Sequence, residues 1–220
     1  MSQLKHEQIL EMLRLQDDNN KVVHPEWQNQ GYLWLRAALV ESAEGMDHVG
    51  WKWWKKQTPD WPQVQLELVD IWHFLLSHFI IKAGGDLEKA AIEILNEVNH
   101  KTGSFSFDGH IYFINQFSLV DKFEMMVGLF AARRVNLELF ESALTDSSLS
   151  WDDLAKTYVG KNVLNRFRQA NGYKEGTYIK IWAGEEDNVH LAAVMETVED
   201  VDHETFTYIW GELKKRYPNA

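Results

Sequence analysis

"QLELVDIWHFLLSHFI", residues Gln65 to Ile80, is apolar nearly all round a helix, yet Glu67 and Asp70 interrupt it. A helix apolar on every side is a buried one. Ionised carboxylates are costly to bury, and buried charges are paired or bind metal. No Lys or Arg lies between Lys56 and Lys82 to pair with them locally. Three-residue spacing puts both on one helix face. The pattern predicts a helix from about Val64 to Ala83, closed by the glycines of "AGG". Its most apolar part, Ile71 to Ile81, is broken by His73, Ser77 and His78 and is too short to span a bilayer. A core helix is expected.

Working outward, a preceding helical pattern runs from about Gln28 to His48. Leu35, Ala38, Leu39, Ser42 and Met46 follow the i, i+3, i+4 rule. Glu41 and Glu44 form a second three-residue pair. Glu44 shares a row with Leu33, Ala37 and Val40, so both carboxylates are expected on or beside an apolar face. Four carboxylates on two successive helices suit hard cations, and oxygen-only ligands favour Mg²⁺ or Mn²⁺ over Zn²⁺. Mg²⁺ held by carboxylates is usually completed by water and substrate phosphates. The rival metal reading is a di-iron bundle, which wants Glu-x-x-His on two helices. Only Glu97 to His100 matches it, with Asp70 to His73 as an aspartate variant.

The rest of the chain also reads as helix. A short first helix covers Leu4 to Leu13, with "LQDDNN" as its polar end; "HPEW" starts the next, with Pro25 in the first turn. "DLEKAAIEILNEVNHK" and "LVDKFEMMVGLFAARRVNLELFESAL" each read as one helix, as does "SWDDLAKTYVGKNVLNRFRQANG", capped by Ser150. The last runs from about His203 to Arg216. "GSFSFDGHIYF" is a loop or a short hairpin. The expected fold is all-α, a helical bundle core with a smaller helical cap.

The 220 residues are 45% hydrophobic and 25% charged, as for one globular domain spanning the chain. A formal charge of -11 disfavours nucleic acid and anionic membranes as partners. The absence of Cys excludes disulfides, thiolate metal sites and cysteine nucleophiles. "MSQLKHEQILEML" lacks the apolar core of a signal peptide, so a cytoplasmic location is expected. "GWKWWKKQ" (Gly50 to Gln57) sets Trp51, Trp53 and Trp54 among lysines. It reads as core, membrane belt, nucleic-acid surface or the wall of a pocket for a flat anion. Between Lys161 and Lys180 five basic residues face only Glu175, which suits an anion site or a salt-bridge partner. Ala155 stands where a phosphate-loop glycine belongs, so phosphate binding would use side chains and metal. No zinc-protease HExxH and no GxSxG elbow is present.

Four segments, "EMLRLQDDNN", "LVESAEGMDHVGWKWWKK", "LELVDIWHFLLSHFI" and "YVGKNVLNRFRQANGYKEGTYIKIWAGEEDN", together resemble the dimeric all-α dUTPases of the all-α nucleoside triphosphate pyrophosphatases. The resemblance implies hydrolysis of dUTP, and of dUDP, by a homodimer using Mg²⁺. Glu41, Glu44, Glu67 and Asp70 would hold the metal, with Glu41 activating the water. Gln16 and Asn19 would read uracil and deoxyribose, and His73 would lie near the sugar. Trp54 would wall the base pocket with Lys55 near phosphate. Lys161, Asn165, Arg168, Tyr173, Lys180 and Asn188 would close over sugar and phosphates. The alternatives are a sister pyrophosphatase with another base preference and a non-catalytic nucleotide sensor.

Overall fold

The computed structural model describes residues 3–218. Nine α-helices occur among them: α1 (His6–Val23), α2 (Trp34–Val49), α3 (Trp61–Lys82), α4 (Leu87–Asn99), α5 (Leu119–Ala131), α6 (Leu137–Asp146), α7 (Trp151–Ala170), α8 (Asp187–Met195) and α9 (Thr205–Arg216). A hairpin of β1 (Ser104–Phe107) and β2 (His110–Phe113) lies between α4 and α5, and the two-residue strands β3 (Ile181–Trp182) and β4 (Glu185–Glu186) precede α8.

The apolar run of the opening sequence is the central helix. Pro62 lies in the first turn of α3, and the Asp60 side chain caps it by accepting from the Gln63 N–H. α3 packs on α1, α2, α4 and α7. At 22 residues and a mean hydropathy of 1.3, α3 is long and apolar enough to cross a membrane, contrary to the length argument from Ile71–Ile81. Here it is a core helix, with Trp72 fully buried, stacked on Phe140 at 5.5 Å and edge-on to Trp151 at 5.2 Å.

Five other helix expectations need correction. α1 does not end at Leu13 but continues through "LQDDNN" to Val23. Its polar residues are inside because they are partnered: Asp17 accepts from Trp27 Nε1 at 3.0 Å and pairs with Lys21 at 2.6 Å. Pro25 opens no α-helix; a turn and a 3₁₀ segment (Trp27–Asn29) follow it, and α2 starts only at Trp34. The long pattern after Leu119 is two helices, broken where Arg133 takes a φ of 60° and Asn136 caps α6. α8 was not anticipated. The row Leu33–Ala37–Val40 is not a core face, for Leu33 and Val40 are each 45% exposed; the buried face of α2 is Leu35, Ala38, Ser42 and Gly45. The aspartate–glycine turn of the hairpin has positive φ at Asp108 and Gly109, as a tight two-residue connection requires.

Gly45 sets the distance between α2 and α5. A Cβ there would meet the buried Phe123 ring at 2.6 Å. Alanine gains about 1 kcal/mol of helix propensity over glycine, whereas overpacking a closed core costs about 1–3 kcal/mol. The net cost is about 1 kcal/mol, so Gly45→Ala is expected to lower the melting temperature by about 3 °C, checked by thermal denaturation; an unchanged or higher value would show that Phe123 can move aside.

The C-terminal part packs over α7 through aromatic rings. Phe167 meets Trp182, Trp210 and Tyr217 at 5.7, 5.2 and 5.3 Å. α8 and α9 lie on α7 and on each other.

Candidate active site

Two antiparallel carriers, α2 and α3, bring the carboxylates together. Glu41, Glu67 and Asp70 each offer an oxygen, and these lie within 4.8 Å of one another. Glu67 is buried, while Glu41 and Asp70 are half-buried. Glu44 is exposed and outside this triplet, although its charge still acts on Glu41. Burial, a hydrogen bond to Glu67 and the charges of Glu67, Asp70 and Glu44 push the Glu41 carboxyl up to about 7. Burial raises Glu67 as well, against the hydrogen bond from Glu41. Like-charged carboxylates this close cannot all ionise, so Glu41 and Glu67 share a proton. A divalent cation relieves the same repulsion, and an all-oxygen donor set fits Mg²⁺ or Mn²⁺. His48 Nε2 lies 3.5 Å from Glu67. The missing local cation comes from far along the chain: Lys161 Nζ on α7 contacts Asp70 at 2.5 Å. Glu97, the anchor of the di-iron alternative, pairs instead with Lys82 at 3.3 Å.

A cavity of about 540 Å³ opens beside Asp70, lined by Gln16, Asn20, Trp34, Phe74 and His73 among others. A second, of about 480 Å³, is lined by Lys156, Arg168 and Asn188 over an apolar floor that includes Leu164, Leu191 and Met195. Lys161 and Asn165 line both. The first has an apolar, aromatic wall with a few amides; the second has cations at its edge. That arrangement suits a flat polar ring at one end and an anion at the other.

Of the expected readers, Gln16 and His73 are in the first cavity and touch, His73 Nδ1 to Gln16 Oε1 being 3.0 Å. Asn19 is elsewhere. Its Oδ1 accepts from Arg166 Nε at 2.8 Å, and it lines a separate cavity of about 1030 Å³ with Phe206 and Trp210. Asn20 stands beside Gln16 instead, accepting from its Nε2 at 3.0 Å. Residues three and four apart are both neighbours on a helix, so spacing from Gln16 does not separate Asn19 from Asn20. Burial lowers His73 to about 3, so its ring is neutral.

The tryptophans of "WKWWK" are neither core nor part of that cavity's lining. They form a surface loop in which Trp53 and Trp54 are 86% and 59% exposed and pack edge-on to each other at 4.6 Å. Lys55 is exposed on the same loop. The ring wall comes from Trp34 and Phe74, stacked at 6.3 Å.

The basic segment is largely salt-bridged. Arg168 is clamped by Asp187, Nε to Oδ2 at 2.7 Å and Nη2 to Oδ1 at 2.9 Å, and Tyr178 donates to the same carboxylate at 2.9 Å. Asn188 accepts from Arg168 at 3.2 Å. Lys180 pairs with Glu186 at 3.1 Å, and Tyr173 is exposed. Asp187, fully buried, gives no sequence signal beyond its place in an acidic run.

No curated protein matches the chain. A family model described as dUTPase matches residues 8–173, three quarters of the sequence, and takes in α2 to α7 and most of α1 with Glu41, Glu44, Glu67 and Asp70; Lys180, Asp187 and Asn188 lie beyond the match. The chain belongs to the dUTPase family, and the enzymatic activity that this supports is that of a dUTP diphosphatase.

Proposed function

We propose that the cleft hydrolyses dUTP, and also dUDP, with a divalent cation, Mg²⁺ or Mn²⁺, held by Glu41, Glu67 and Asp70 and completed on the exposed side by Glu44. The observation that carries this is the convergence of three carboxylates within 4.8 Å beside a cation-edged cleft. A bound cation would neutralise the phosphates and stabilise charge developing on them. Glu41 takes the proton of the attacking water. A carboxylate beside a bound cation and half-open to the cleft is placed to act as that base. Water forms a bond to phosphorus, the bond to the pyrophosphate oxygen breaks, and dUMP and pyrophosphate leave.

The uracil lies against the wall formed by Trp34 and Phe74 and is read by Gln16, with His73 and Asn20 beside it. Asn19, Trp54 and Lys55 reach the substrate only if α1 and the loop before α3 move on binding. With a cation on the carboxylates, Lys161 would be released from Asp70 and would be free to pair with phosphate. Asn165, Arg168 and Asn188 line the way to the phosphates, and Tyr173 and Lys180 close from the exposed loop after α7. The homodimer implied by the resemblance is part of the same proposal.

Pyrophosphate release from dUTP, dCTP, dTTP and UTP, with Mg²⁺ and with EDTA, tests it. Release from dUTP in clear preference, abolished by EDTA, is expected. Preference for another base moves the chain to a sister activity. Saturable dUTP binding without release favours a sensor.

A further inference from the structure

Ser77 lies on α3, four residues after His73, and is fully buried. Its hydroxyl carries one proton, and the His73 carbonyl, 3.1 Å away, accepts it. The 2.9 Å contact between Ser77 Oγ and Asn20 must then be one in which Asn20 Nδ2 donates. This turns Asn20 Oδ1 toward Gln16, whose Nε2 donates to it at 3.0 Å. Gln16 Oε1 is thereby turned to Tyr158 Oη at 2.7 Å and His73 Nδ1 at 3.0 Å. A carbonyl oxygen only accepts, so both of these groups donate. A neutral imidazole has one ring proton. With that proton on Nδ1, His73 Nε2 carries a lone pair, and it is a buried atom without a partner. Hydrogen-bond direction therefore passes from a helix carbonyl, through one hydroxyl and two amides, to the cavity wall.

We propose that Ser77 is a specificity-determining positioning residue: through Asn20 it fixes the Gln16 amide and the His73 tautomer. The cavity then presents an N–H donor beside a lone-pair acceptor. It takes a lactam edge, carbonyl oxygen beside ring N–H, over the amidine edge of cytosine, amino group beside bare ring nitrogen. This rests on the reading of the first cavity as the base site. Ser77 touches no substrate; it acts by denying Asn20, and so Gln16, the flipped orientation. Without the hydroxyl, Asn20 can turn over, Gln16 can follow, and the donor–acceptor order of the wall is no longer held.

The test is calorimetric titration of the full-length protein and its Ser77→Ala variant with dUMP and dCMP. Wild type is expected to favour dUMP, and the variant to narrow the dUMP-to-dCMP affinity ratio about tenfold, the effect of one buried polar partner. A merely structural role would shift the melting temperature and leave the ratio alone. An unchanged ratio in folded Ser77→Ala overturns the inference and leaves the dUTP reading standing. Equal binding of both nucleotides by wild type overturns both. Should the variant not fold, ¹⁵N NMR of the wild-type imidazoles decides: His73 protonated at Nδ1 and bare at Nε2 is expected, and the opposite tautomer overturns the relay.

Discussion

Glu41→Gln is expected to lower dUTP turnover by about 10³-fold, in the range assigned to a lost general base, while leaving the fold intact. The substitution keeps size and polarity but removes both the proton acceptor and one charge from the carboxylate triplet. The effect on stability has the opposite sign to that on activity. The folded-state affinity of Glu41 for protons is raised from an ordinary 4.5 to about 7. Between those values the folded protein binds more protons than the unfolded chain, so this group's stability contribution is present below about 4.5 and is lost as pH rises through about 7. Without divalent ions the wild-type melting temperature should therefore fall from pH 5 to pH 8. Glu41→Gln should flatten that fall, and at pH 8 the metal-free variant should melt no lower than wild type. Mg²⁺ should raise the wild-type value at pH 8 by binding the folded state. Turnover at the wild-type rate in the variant would remove Glu41 from the base role; a pH-independent wild-type melting temperature in EDTA would contradict the shared proton.

Asp187→Ala carries the largest expected cost in stability. It strips a buried carboxylate from a bidentate guanidinium and from the Tyr178 hydroxyl, leaving Arg168 mostly buried and without its main partner. Breaking a buried pair from one side costs about 3–5 kcal/mol. Because Arg168 and Asn188 both line the phosphate-side cavity, KM for dUTP should also rise, by about tenfold for one misplaced charge-assisted contact. Burial raises Asp187, but the hydrogen bonds from Arg168 and Tyr178 outweigh it and hold the carboxyl below its ordinary range. Its contribution is thus present at neutral pH and lost only as pH falls below the usual aspartate range, so the wild-type-to-variant difference in stability should shrink in acid. Denaturant unfolding at pH 7 and at pH 3 measures this; an equal difference at both would show that Asp187 acts through packing and not through charge.

The carboxylate cluster of Glu41, Glu67 and Asp70 was legible from local pattern because its two carriers are consecutive helices; the three-residue spacing that paired Glu44 with Glu41 did not bring Glu44 into it. Glu67 and Asp70 stood out as charges in an otherwise apolar helix, which no surface role explains. The polar network around Gln16 was far less legible. "LQDDNN" reads as a helix end when each residue is weighed by its own polarity, and it is buried only because Trp27, His73, Ser77 and Tyr158 arrive from three other parts of the chain to satisfy it. Asn19 and Asn20 could not be told apart for the same reason: both are amides, and only the side of the helix that meets α3 separates them. "WKWWK" was ambiguous, open to core, surface and pocket-wall readings, and the fold leaves its three rings exposed in a loop and packed on one another.

What the sequence determined by itself is what short-range periodicity and residue chemistry carry. These are a helical protein, an apolar central helix with carboxylates on one face, and no cysteine chemistry. What only the tertiary structure decided is partnership at long range. Lys161 reaches Asp70 across 91 positions and Tyr158 reaches Gln16 across 142. Asp187 claims the arginine that the basic segment seemed to hold free. The physical reason is that a hydrogen bond or ion pair acts over about 3 Å and depends on direction, so its cost or benefit exists only once the packing of apolar faces has fixed which distant groups meet.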